Sequence, residues 1–96
     1  MRELRYYIDP TTEQPHIYGH NVEEAEVEDV LSRPAEDGSN RNGSRIAIGQ
    51  TRAGRYLKVV YAPDDDGIGI FVITAYDLRG AALTAFRRRM RRRGKR

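Results

Sequence analysis

The stretch from Arg55 to Tyr76 constrains the chain most. Arg55-Tyr-Leu-Lys-Val-Val-Tyr61 and Ile68-Gly-Ile-Phe-Val-Ile-Thr-Ala-Tyr76 are rich in β-branched and aromatic residues, and Ala62-Pro-Asp-Asp-Asp-Gly67 separates them. No strand tolerates that separator. Pro63 has no N–H to donate, the adjacent aspartates repel one another, and Gly67 permits positive φ. The pattern predicts an antiparallel hairpin with a loop longer than the minimal turns. Alternation puts Leu57, Val59 and Tyr61 on one face, and Tyr56, Lys58 and Val60 on the other. On the second strand it groups Phe71, Ile73 and Ala75 against Val72, Thr74 and Tyr76. Leu57, Val59, Phe71 and Ile73 are the expected core, and Tyr56, Lys58, Thr74 and Tyr76 the expected outer face.

The remaining elements are read around this hairpin. Residues 45–51 alternate as a strand, with Ile46 and Ile48 inward and Arg45, Ala47 and Gly49 outward. Strands over 45–51, 55–62 and 68–76 therefore make a meander. Residues 4–8 read as a short strand stopped by Asp9-Pro10. Asn21 is a good N-cap with Glu24 at the capping-box position, so a helix is predicted over 22–32, with Val27, Val30 and Leu31 on its apolar stripe and Pro34 past its end. Residues 35–44 read as loop. A last helix is expected over about 81–92, with Ala82, Leu83, Phe86 and Met90 facing the core. The order predicts a single α+β two-layer domain over 1–86, an antiparallel sheet with its helices to one side, and a basic arm over 87–96. The edge that the first strand joins is left open.

Charge is divided sharply. Eight of the 17 basic side chains fall in residues 87–96, which hold no acid, so the rest of the chain carries nine basic against 14 acidic side chains, a net of −5. Such an arm suits a polyanion, with Arg87, Arg88, Arg89, Arg91, Arg92 and Arg93 as phosphate contacts. A solvated helix end is the plainer alternative. The absence of cysteine rules out disulfides and thiolate metal sites. No apolar run approaches a membrane span, and the expectation is a cytoplasmic protein.

Few motifs carry chemistry. His16 and His20 are spaced like helical metal ligands, but Pro15 and Gly19 oppose a helix across them, and no metal or other cofactor is expected. His20 is a candidate acid or base, with turn capping as the plainer role. Asp64, Asp65 and Asp66 lack the spacing of a calcium loop. The outer sheet face is expected to gather Arg45, Tyr56, Lys58, Thr74 and Tyr76, with Arg52, Arg55 and Arg79 near the strand ends. Such residues can cleave RNA through its 2′-hydroxyl without metal, and tyrosines can stack on bases. They are also ordinary occupants of a solvated sheet face.

Four segments together carry a resemblance: Gly19-His-Asn-Val-Glu-Glu-Ala25, Arg45-Ile-Ala-Ile-Gly49, Gly54-Arg-Tyr-Leu-Lys-Val-Val-Tyr61 and Val72-Ile-Thr-Ala75. In order and spacing this resembles the BrnT-type toxins of the RelE-like ribonuclease superfamily, over about residues 17–86. The resemblance implies a RelE-like fold, metal-independent cleavage of mRNA, possession of a cognate antitoxin, and site residues His20, Arg45, Arg55 and Lys58. Asn21 stands where that family has glycine, Tyr76 where it has arginine, Ala82 where it has glutamate and Phe86 where it has tyrosine. Tyr76 and Arg79 are the local replacements, and Arg52 and Tyr56 join the arm as RNA contacts. A non-catalytic module that binds RNA or protein is the alternative.

Overall fold

The computed structural model describes residues 3–94. The elements in order are β1 (Leu4–Tyr6), β2 (Ile8–Asp9), β3 (Gln14–Pro15), a 3-10 turn at His16–His20, α1 (Glu24–Ser32), β4 (Glu36–Ser39), a second 3-10 turn at Arg41–Gly43, β5 (Arg45–Gln50), β6 (Tyr56–Pro63), β7 (Ile70–Asp77) and α2 (Gly80–Gly94). One sheet has the order β1-β7-β6-β5-β4, and β2 and β3 form a separate small ribbon. The meander β5-β6-β7 is antiparallel, as its turns predict. No helix among the described residues is long and apolar enough to cross a membrane.

The sheet as a whole is mixed rather than antiparallel. β1 runs parallel to β7, with Leu4 opposite Ile70 and Tyr6 opposite Val72. A parallel pair needs a long connection, and α1, β4, β5 and β6 lie between these two strands in the chain. Residues 35–44 are also not simply loop. Glu36–Ser39 pairs antiparallel with β5, Glu36 opposite Ile48 and Ser39 opposite Arg45. A short, polar strand of this kind is stable at a sheet edge, where one side of the ladder meets solvent.

The helices pack on opposite faces, which corrects the two-layer expectation. Val27 and Val30 of α1 are buried with Ile17, Val22, Ala47, Leu57, Val59, Val72 and Ala75. Phe86 of α2 packs with Ile48 and Leu78, flanked by Ile46, Tyr56, Leu83 and Met90. Neighbouring residues of β5 point to opposite faces, so Ala47 lies under α1 while Ile46 and Ile48 lie under α2. Ala47 and Gly49 are therefore inward with respect to the main core. A β-carbon at Gly49 would stand 3.3 Å from Val30 Cγ1, so the small side chains let α1 approach the sheet.

A register shift explains the second misassigned face. Val60 lies opposite Thr74 but Tyr61 lies opposite Val72, so Ile73 is an extra residue in β7. One inserted residue reverses the alternation beyond it. Ile70 and Val72 consequently join Ala75 in the core, while Phe71 and Ile73 are only partly buried.

At the start of α1 the capping box is formed by Glu23 and Glu26 rather than Asn21 and Glu24. Glu26 Oε1 accepts the Glu23 backbone N–H at 3.0 Å. Asn21 instead adopts φ 60°, the left-handed region that asparagine tolerates, and ends the first 3-10 turn.

Candidate functional site

α2 covers Ile46, Ile48 and Tyr56 on its side of the sheet. Beyond Tyr56 that face carries Lys58, Thr74 and Tyr76, all partly exposed. Lys58 and Tyr76 are register partners on β6 and β7, and the Lys58 Nζ lies 5.9 Å from the Tyr76 ring centroid. The Thr74 hydroxyl beside them is closed off from solvent and has no hydrogen-bond partner among the described residues.

The first 3-10 turn completes this face. Ile17 is buried in the main core and anchors the turn. The His20 ring meets the Tyr76 ring edge to face at 5.7 Å, and His16 meets His20 in the same manner at 5.1 Å. Tyr7 continues the row, 5.9 Å from His16. Four rings and one ammonium thus form a continuous array built from the N-terminal segment, β6 and β7. Beside His20 and Tyr76, a recess of about 400 Å³ is also lined by Gly19, Asn21, Asp77 and Arg79.

The arginines of α2 divide by helical position. Arg87 lies over the Tyr56 ring at 5.4 Å, and Tyr56 meets Phe86 edge to face at 5.8 Å. Arg91 stands one turn beyond Arg87 on the same side of the helix. Arg88 and Arg92 are exposed. Arg89 and Arg93 turn to the other flank, where both engage Glu36 on β4, Arg89 at 2.6 and 2.8 Å and Arg93 at 3.3 Å. Hydrogen bonding from Arg89 holds the Glu36 carboxyl below the usual carboxylate range. Lys95 and Arg96 lie outside the described residues.

Four expected site residues, Arg45, Arg52, Arg55 and Arg79, are not in the array. Arg45 lies on the α1 side, where its Nε donates to the Tyr61 hydroxyl and to Asp37, both at 3.3 Å. Tyr61 in turn donates to Asp37 at 2.8 Å. Arg45 cannot join Lys58 because its register partner is Tyr61, an odd number of residues along β6. Arg55 is clamped by Glu26 at 2.9 Å and by Asp77 at 2.6 Å, and also donates to the Asn21 carbonyl. Arg52 is 92% exposed and leans toward Asp29, away from the array. Arg79 borders the recess and pairs with Asp77 at 2.6 Å. Hydrogen bonds from Arg55 and then Arg79 hold the Asp77 carboxyl below its ordinary range.

The array also contains residues that sequence reasoning left out. Tyr7 lies just after β1, and Asp9 of β2 reaches His16, the first residue of the 3-10 turn after β3, with His16 Nδ1 3.5 Å from Asp9 Oδ2. The i, i+4 spacing of His16 and His20 is the sequence signal for His16, and it marks a pair brought together by a 3-10 turn. Among the described residues no group of three His, Asp or Glu side chains converges as metal ligands.

The fold and this face define a small α+β domain with an aromatic and cationic surface. Residues 19–77 match the family described as a domain of unknown function (DUF4258), and the chain belongs to that family. The matched span holds His20, Lys58 and Tyr76 and excludes Asp9, His16 and α2. No curated protein matches the chain, and no solved structure does.

Proposed function

We propose that the protein is a BrnT-type member of the RelE-like ribonucleases, a toxin that cleaves mRNA in the cytoplasm without metal and is neutralised by a cognate antitoxin covering the basic face. The observation that carries the reading is the contact of His20, Tyr76 and Lys58, drawn from separate segments onto a face that α2 leaves open. The order of first strand, helix, meander and terminal helix supports a RelE-like fold.

In this reading Lys58 offsets the charge that develops on the phosphate as the 2′-oxygen attacks, an interaction stronger in the transition state than in the ground state. His20 exchanges protons with the reacting oxygens. Tyr76 sets the positions of both and offers a ring for stacking a splayed base. Arg87, Arg88, Arg91 and Arg92 hold flanking phosphates. A second reading, an RNA-binding module without catalysis, is favoured by the engagement of Arg45 and Arg55 with carboxylates, which leaves Lys58 as the cation within the array.

The test is cleavage of single-stranded RNA, free and ribosome-bound, by purified protein in excess EDTA. The unmutated protein is expected to cleave, and Lys58→Ala to slow cleavage by about 100-fold or more, in line with loss of one preorganised charge-stabilising group. Binding without cleavage replaces this reading with the second one.

A further inference from the structure

Cleavage by a 2′-hydroxyl moves two protons. One leaves O2′ as it attacks, and one must reach O5′ as it departs. His20 can serve only one of these transfers at a time. The chain contains one other imidazole, His16, and it stands in edge contact with His20 at 5.1 Å.

His16 is placed by a structure of its own. Its backbone N–H donates to the Tyr7 carbonyl at 2.8 Å. The β2-β3 ribbon sets Asp9 opposite Gln14 and so brings its carboxylate to 3.5 Å from His16 Nδ1. The Thr11 backbone N–H binds the other carboxylate oxygen, Oδ1, at 2.8 Å and fixes its direction. A carboxylate beside Nδ1 orients the ring and leaves Nε2, on its other side, toward a substrate, the positioning that an acid–histidine pair provides in hydrolases. His20 makes no ion pair among the described residues; its ring contacts are with His16 and Tyr76, and Lys58 stands on the far side of Tyr76.

We infer that His16 is the general acid of the reaction, that Asp9 is its positioning residue, and that His20 is the base. This rests on the ribonuclease reading above. His20 takes the proton from O2′ as the O2′–P bond forms. The P–O5′ bond breaks, and the electron pair left on O5′ takes the proton from His16. The products are a 2′,3′-cyclic phosphate and a 5′-hydroxyl end. His20 finishes protonated and His16 neutral, and exchange with water resets both. No oxidant, metal or other co-reactant enters.

Leaving-group replacement tests the assignment. A substrate with sulfur in place of the bridging 5′-oxygen expels a thiolate, which needs no proton. With the oxygen substrate, His16→Gln is expected to slow cleavage about 100-fold, the low end of lost acid–base catalysis, and Asp9→Asn, which removes only the positioning, by about tenfold. With the sulfur substrate both variants are expected within about threefold of the unmutated protein, while His20→Gln stays slow on both substrates. A merely structural role for the Asp9–His16 pair predicts equal slowing on both substrates and overturns the inference. So does an unchanged rate in His16→Gln, which leaves the ribonuclease reading intact. Absence of cleavage by the unmutated protein on either substrate overturns the reading and this inference together.

Discussion

Arg55 donates to the Glu26 carboxylate at 2.9 Å, and the same oxygen accepts the Glu23 backbone N–H at 3.0 Å. One carboxylate thus closes the start of α1 and ties it to the start of β6. Arg55 continues to Asp77 at the end of β7, so its planar fork joins three elements. This makes Arg55 a structural residue, despite the catalytic role that resemblance implied. Arg55→Ala is expected to destabilise the fold by about 2 kcal/mol, because it removes the ion-pair partner of Glu26 and one of the two arginines on Asp77. Denaturant unfolding measures this. Cleavage per folded molecule should change far less than in Lys58→Ala.

The same cluster predicts an acid limb of stability. Arg55, and then Arg79, hold the Asp77 carboxyl below its ordinary range. A carboxyl lowered on folding contributes stability that is fully present above its unfolded value. That contribution fades as pH falls through the ordinary carboxylate range toward the lower folded value, because protonation then favours the unfolded chain. Thermal melts from neutral pH down to strong acid should show this loss, and Asp77→Asn should be less stable at neutral pH with a flatter acid limb. Parallel curves for the two proteins would remove Asp77 from the account.

Gly49 offers a packing test. A β-carbon there meets Val30 Cγ1 at 3.3 Å and the backbone of Arg33 and Ala35 at 3.6 Å. Gly49→Val should lift α1 from the sheet and cost about 1–3 kcal/mol, the usual range for overpacking a core. Unfolding free energies check it. A neutral substitution would show that α1 can move away without loss.

The arginines of α2 should not contribute equally to RNA binding. Each phosphate contact on a single strand adds about 0.7 to the slope of log affinity against log salt. Arg87, Arg88, Arg91 and Arg92, which make no ion pair among the described residues, predict a slope of roughly −3, and Arg87→Ala with Arg91→Ala should reduce it by about 1.4. Arg89→Ala with Arg93→Ala should leave it nearly unchanged, since Glu36 already engages both. Fluorescence anisotropy across a salt series separates the two pairs.

Much of the architecture was legible because local signals agreed. The aspartate turn and its flanking runs gave the central hairpin, and Val27 and Val30 gave the buried stripe of α1. The faces were harder. Ile73 is one residue too many in β7, and an apolar bulge residue looks like any other strand residue. Ile46 and Ile48 looked inward because they are large, yet the core beneath α1 selects small Ala47 and Gly49, and a second helix covers the isoleucines. Of the candidate site, Lys58 and Tyr76 are legible as one sheet face from strand alternation, and His20 from the resemblance. The contact of Asp9 with His16 is not, since a seven-residue separation across a two-residue ribbon has no sequence periodicity. The pairing of Arg45 and Arg55 with distant carboxylates was likewise a matter of tertiary structure alone.

The most direct test of the central claim is to induce the protein in bacteria and map mRNA 5′ ends. The account predicts growth arrest with new 5′-hydroxyl ends inside mRNAs, and neither effect from Lys58→Ala at equal protein level. Folded, unmutated protein that accumulates without new mRNA ends would contradict it.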